Sequence, residues 1–159
     1  RSTPMFTLFP TRRSSDLSAN TSIHYSWAGR AFERVCMQHI KQIKEALGFS
    51  AVVSSVHSWC YKGTKDPTTG KTLTKGAQID MLINRNDDTI NLCEMKYTNA
   101  PYVITEEEDC RLRNRRETFI RETGTEKTVL ITMITSFGLA PGGYSDDIHC
   151  QVTMADLFK

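Results

Sequence analysis

Asp80, Glu94 and Lys96 are the residues whose types and spacing could do chemistry together. They interrupt the otherwise apolar pattern of IDMLINRNDDTINLCEMKY, residues 79–97, which reads as two antiparallel strands around a polar turn. Residues two apart on a strand share a face, so Glu94 and Lys96 project to the same side, about 7 Å apart along the strand. Asp80 joins them only if the hairpin register sets it opposite Glu94. That requires an odd loop or a bulge, and Asn86, Asp87 and Asp88 as a three-residue loop meet the requirement. A loop of Asn86 and Asp87 alone would put the two carboxylates on opposite faces.

Two carboxylates a few ångströms apart repel each other and shift each other's pKa, and a divalent cation resolves the conflict by taking both as oxygen ligands. Magnesium is the natural occupant, with manganese as its substitute. Such a metal polarises a phosphoryl oxygen, while a neighbouring lysine orients the nucleophile and stabilises charge developing on phosphate. The chemistry expected is phosphodiester hydrolysis. The plainer alternative is a solvated strand face or a surface salt bridge worth little energy. Against it, Leu82 shares the parity of Asp80 and Leu92 that of Glu94, so this face is partly apolar, and burying charge there without function is costly.

The elements that must position these residues follow from periodicity. Residues 26–47 carry Phe32, Val35, Cys36, Ile40, Ile43 and Leu47 at helical spacing, with Ser26 as N-cap and Gly48 as stop. Residues 51–61 are β-branched and aromatic, and 62–76 form a polar turn region. Thr105 followed by Glu108 is a capping-box signature, the acids at 106–109 suit a helix N-terminus, and Gly124 closes that helix. Residues 127–135 read as a buried strand and 148–154 as a weaker one. The expected fold is α/β, a central mixed β-sheet flanked by helices in the order α-β-β-β-α-β-β.

Asp80 followed by Glu94-Met95-Lys96 on the next strand resembles the core of the PD-(D/E)XK nuclease superfamily, with Ile79 where proline often stands. The wider stretch KGAQIDMLINRNDDTINLCEMKY, with GRAFERVC before it and LITMIT after it, resembles the C-terminal nuclease-like domain of a group of bacterial AAA+ ATPases. The resemblance covers residues 26–158. It implies a restriction-endonuclease-like core, magnesium-dependent cleavage of DNA, and an upstream AAA+ ATPase module missing from this chain. It also implies metal ligation by Asp80 and Glu94, a catalytic Lys96, a ligand from the Met95 carbonyl, and Glu33 of GRAFERVC as a further metal ligand on the first helix. An exposed carboxylate pairing with Arg30 or Lys41 is the other reading of Glu33. The alternative function is a non-catalytic module that binds nucleic acid or protein for that ATPase.

Substrate contacts are expected from Gln78, two residues before Asp80, and from Arg111, Arg115 and Arg116 in RLRNRR, which is otherwise a solvated helix face. Residues 65–72, KDPTTGKT, end like a Walker A loop. The first glycine is replaced by Lys65 and no helix follows, which excludes nucleotide binding there. Trp59 and Tyr61 are read as sheet packing, and the four histidines lack metal-ligand spacing.

The chain has 159 residues, 39% hydrophobic and 24% charged, which suits one globular domain. Residues 9–17, FPTRRSSDL, resemble a translated sequencing adaptor, so 1–17 are expected to be a non-native, disordered leader and 18–159 the domain. Arg1, Arg12 and Arg13 against Asp16 account for the whole net charge of +2, which leaves residues 18–159 neutral. Any polyanion site must therefore be local. The five cysteines form no CxxC pair and are expected to be reduced and mostly in the core. No apolar run is long enough to span a membrane, and a cytoplasmic protein is expected.

Overall fold

A computed structural model describes residues 14–142, 144 and 147–159. Most of the expected leader, residues 1–13, lies outside the described residues. Helix α1 spans Ser14–Gln38 and α2 spans Ile40–Ala46. The first helix therefore begins well before Ser26, and four residues of the expected leader belong to it. No glycine or proline lies between Ser14 and Ala28, so nothing in that stretch stops the helix from propagating. At the other end it breaks at His39, whose backbone N–H is shared between the carbonyls of Val35 and Cys36 and whose ring Nδ1 lies 2.8 Å from the Val35 carbonyl. Gly48, at φ 76°, ends α2 as the sequence indicates.

The strands are β1 (Ser54–Tyr61), β2 (Thr64–Lys65), β3 (Thr72–Thr74), β4 (Ala77–Arg85), β5 (Thr89–Lys96), β6 (Thr128–Thr135) and β7 (Ile148–Thr153), with α3 (Glu106–Thr123) between β5 and β6. A five-stranded mixed sheet has the order β1-β4-β5-β6-β7, antiparallel through β1, β4 and β5 and parallel through β5, β6 and β7. The polar turn region is not merely loop: β2 and β3 pair as a small separate hairpin. Its turn holds the sequence that mimics a Walker A loop, and β3 follows where a nucleotide-binding loop would need a helix. A 3₁₀ turn at Met154–Phe158, absent from the sequence reading, closes the chain.

The fold is α/β, with helices on both faces of the sheet. On one face Phe32, Cys36, Ile43 and Phe49 pack on Met81, Ile83, Cys93, Met95, Ile134 and Val152. On the other, Phe119 of α3 packs on Ile79, Leu82, Ile90, Leu92 and Val129, and Leu112 packs on Ile131 and Met133. Because β5 is covered on both faces, Ile90, Asn91, Leu92 and Cys93 are buried in succession rather than on alternate positions. Trp59 meets Phe119 edge-on at 5.2 Å and stacks beside Tyr61, which is sheet packing. All five cysteines are free. Only Cys36 and Cys93 are buried, and Cys60 and Cys110 are exposed, so the core expectation fails for those two.

Helix α3 starts as its sequence dictates. Thr105 is extended and its hydroxyl accepts from the Glu108 N–H, while four acids occupy the first turn and Gly124 takes a left-handed conformation at the C-terminus.

Candidate active site

The β4–β5 hairpin has the odd loop that the site requires. Leu82 faces Leu92 and Asn84 faces Ile90, which leaves Asn86, Asp87 and Asp88 as the turn, with Asp88 at φ 56°. Extended by one residue beyond Met81 and Cys93, the same register sets Asp80 opposite Glu94. A second feature then intervenes. Against β1, His57 pairs with Leu82 and Trp59 with Ile79, so Ser58 alone stands opposite both Asp80 and Met81. This β-bulge resets the alternation: Ile79 and Leu82, three apart, both face α3, and Met81 faces α1. Asp80 consequently does not share the face of Leu82. It lines a groove of about 460 Å³ with Glu33, Arg34, Met37, Gln38 and Met95. Parity along the strand holds for Glu94 and Leu92 and fails for Asp80, because a bulge shifts the face of every residue beyond it.

Glu94 and Lys96 do converge. Lys96 Nζ lies 2.9 Å from Glu94 Oε1, and Arg111 Nη2 approaches the same oxygen at 3.2 Å. Arg115 donates to Glu94 Oε2. Glu108 completes the cluster, pairing with Arg111 and standing 3.6 Å from Lys96 Nζ. Burial pushes the Glu94 carboxyl up, but the Arg115 guanidinium, Lys96 and Arg111 outweigh burial and hold it below the usual carboxylate range. Tyr102, beside Glu108, is pushed up to about 12 by burial and by that carboxylate.

Glu33 reaches the site from α1. Its carboxyl is raised by burial and then by the charges of Asp80 and Glu94, against the opposing pull of Arg30 and Lys96. Asp80 of β4 and Glu94 of β5 thus both act on Glu33 of α1, though the cations beside these carboxylates are unevenly shared. Asp80 takes a hydrogen bond from Gln78 Nε2 at 2.6 Å. Gln78 in turn lines a second groove, of about 760 Å³, with Lys75, Arg111, Asn114 and Arg115. The Gln78–Asp80 bond thus links the two grooves. Arg116 does not reach them: its Nε donates to the Val129 carbonyl at 2.9 Å, inside the domain. Glu108 and Tyr102 were missed as members of the cluster; the spacing of Glu108 and Arg111, three apart on a helix, is the signal that could have revealed the first.

Among the described residues no three His, Cys, Asp or Glu side chains come close enough to hold a metal ion together. The donor chemistry of Asp80, Glu33 and Glu94 nevertheless fits magnesium, which takes oxygen ligands only. The Glu33 carboxyl is raised first by burial and then by Asp80 and Glu94, and a bound cation would oppose all three effects. Among the described residues no helix is long and apolar enough to cross a membrane. Compared with family models, curated proteins and solved structures, the chain matches none.

Proposed function

We propose that this domain hydrolyses phosphodiester bonds of DNA with magnesium, as a nuclease domain of the restriction-endonuclease-like, PD-(D/E)XK kind. The observation that carries the reading is the pairing of Glu94 and Lys96 on β5, with Asp80 of β4 and Glu33 of α1 lining the adjoining groove beside Met95 and the Glu33 carboxyl raised by burial and then by Asp80 and Glu94. Asp80, Glu94 and Glu33 would hold the ion, which supplies Lewis-acid polarisation of the phosphoryl oxygen and a more acidic bound water. Lys96 orients the attacking water and offsets charge developing on phosphate. Arg111 and Arg115 line the groove beside Glu94, where a phosphate could draw them from the carboxylate.

The pairing of Glu94 with Arg115, Arg111 and Lys96 favours a second reading, a domain that binds nucleic acid or protein without cutting, in the service of an AAA+ ATPase module. Cleavage of linear, circular and single-stranded DNA with magnesium, manganese or chelator separates the two. Metal-dependent cleavage lost in both Asp80→Ala and Lys96→Ala is the expected result. A folded protein that binds DNA and never cuts it, with either metal, would establish the second reading.

A further inference from the structure

The β2–β3 hairpin is the most lopsided charged segment outside the site. Residues 62–75 hold Lys62, Lys65, Lys71 and Lys75 against a single acid, Asp66, within a domain whose other residues are net acidic. All four lysines are exposed, and none makes an ion pair among the described residues. The Asp66 carboxylate is engaged in its own turn, accepting from the N–H groups of Thr68 at 2.7 Å and Thr69 at 3.0 Å. A cluster of unpaired lysines costs self-repulsion, which a polyanion would relieve.

The hairpin is also built to keep its direction. A Cβ at Gly63 (φ 73°) would stand 2.4 Å from the Thr74 carbonyl oxygen, and one at Gly76 would stand 2.9 Å from the Tyr61 carbonyl oxygen. Two glycines thus let the chain pass close to itself at the root. The Thr74 hydroxyl lies 2.9 Å from the Tyr61 hydroxyl, 2.8 Å from the Thr64 hydroxyl and accepts from the Thr64 N–H at 2.8 Å. Lys75 and Gly76, at that root, form one wall of the 760 Å³ groove whose other wall carries Arg111 and Arg115. Glu106 and Glu107 line the same groove at the start of α3, where they repel an anion, so an anion is favoured between Lys75 and the two arginines that contact Glu94.

We propose that the β2–β3 hairpin is a DNA-backbone arm: its lysines grip phosphates and lay the strand along the groove toward Arg111 and Arg115. The inference rests on the phosphodiester reading for what happens at the end of the groove, but the arm binds without metal. Ammonium groups on long stems suit phosphates as point charges, and the exposed Leu73 is the only large apolar side chain on the segment, too little for insertion into a lipid surface.

The test is fluorescence anisotropy of a labelled duplex DNA with the full 159-residue chain in chelator, over a salt series. Replacing Lys62, Lys65, Lys71 and Lys75 together by Ala should weaken binding about tenfold or more and flatten the salt dependence by about 0.9 in slope for each phosphate no longer neutralised. Gly63→Ala keeps every charge but displaces the arm, and should also weaken binding. Lys41→Ala with Arg121→Ala, which removes two exposed cations elsewhere, should not. Circular dichroism confirms that each variant is folded. Wild-type protein that does not bind DNA, a fourfold lysine variant that binds as wild type does, or binding of phosphatidylserine vesicles in preference to DNA would overturn the arm. Binding through the arm without cleavage in magnesium would overturn the catalytic reading and leave the arm standing.

Discussion

Arg115 of α3 and Glu94 of β5 form an ion pair in the seam between helix and sheet, both largely buried, with Lys96 and Arg111 on the other carboxylate oxygen. The pair joins the helix to the strand that carries the candidate lysine. It also decides how freely Glu94 can serve another partner.

Arg115→Ala should therefore destabilise the fold by about 2 kcal/mol at neutral pH, since it leaves a buried carboxylate with fewer partners. Glu94 has a depressed folded pKa, so its contribution is present above the ordinary value of 4.5 and is lost as pH falls through the folded value. The difference between wild type and variant should shrink accordingly in urea titrations repeated at falling pH. A constant difference would show that Arg115 acts by packing alone.

Glu33 shows the opposite sign. Its folded pKa is raised above 4.5, so between the unfolded and folded values the native state holds more protons, and stability falls as pH rises through that window. Glu33→Gln should match or exceed wild type in thermal stability at pH 7, lose that advantage below about pH 4, and lose DNA cleavage if Glu33 holds the metal. A variant less stable at pH 7 would count against an unrelieved negative charge at this site.

Two fully buried polar residues of the sheet should respond differently to truncation. Asn91 donates to the Thr132 hydroxyl at 3.0 Å, and Asn91→Ala should cost about 2 kcal/mol by orphaning its partner and leaving a cavity. The Thr135 hydroxyl has no hydrogen-bond partner among the described residues, so Thr135→Val should be neutral or stabilising by about 1 kcal/mol. Chemical denaturation of both variants checks the contrast.

Asp156 pairs with Lys159 and also accepts from the Thr153 N–H at 2.9 Å and the Thr153 hydroxyl at 2.6 Å. The Lys159 hydrogen bond, joined by the two from Thr153, brings its pKa down to about 2. The stability it confers is present above its ordinary value of 3.8 and disappears as pH falls toward 2. Asp156→Asn should therefore be less stable than wild type at pH 6, and the gap should close near pH 2, as followed by thermal melts at each pH.

The sequence by itself determined the α/β class, the hairpin around its polar turn, the Thr105 start and Gly124 end of α3, and the shared face of Glu94 and Lys96. These are local: a period of two, a capping hydroxyl and a left-handed glycine act within a few residues, so they can be read along the chain. Only the tertiary structure decided that α1 begins at Ser14 and breaks at His39, and that residues 62–76 contain a paired hairpin. It alone turned Asp80 toward α1, gave Glu94 to Arg115 and Arg111, and sent Arg116 to the Val129 carbonyl. A bulge arises from pairing with a strand about twenty residues away, and an ion pair from how a helix rolls onto its sheet, so neither leaves a periodic trace in the sequence.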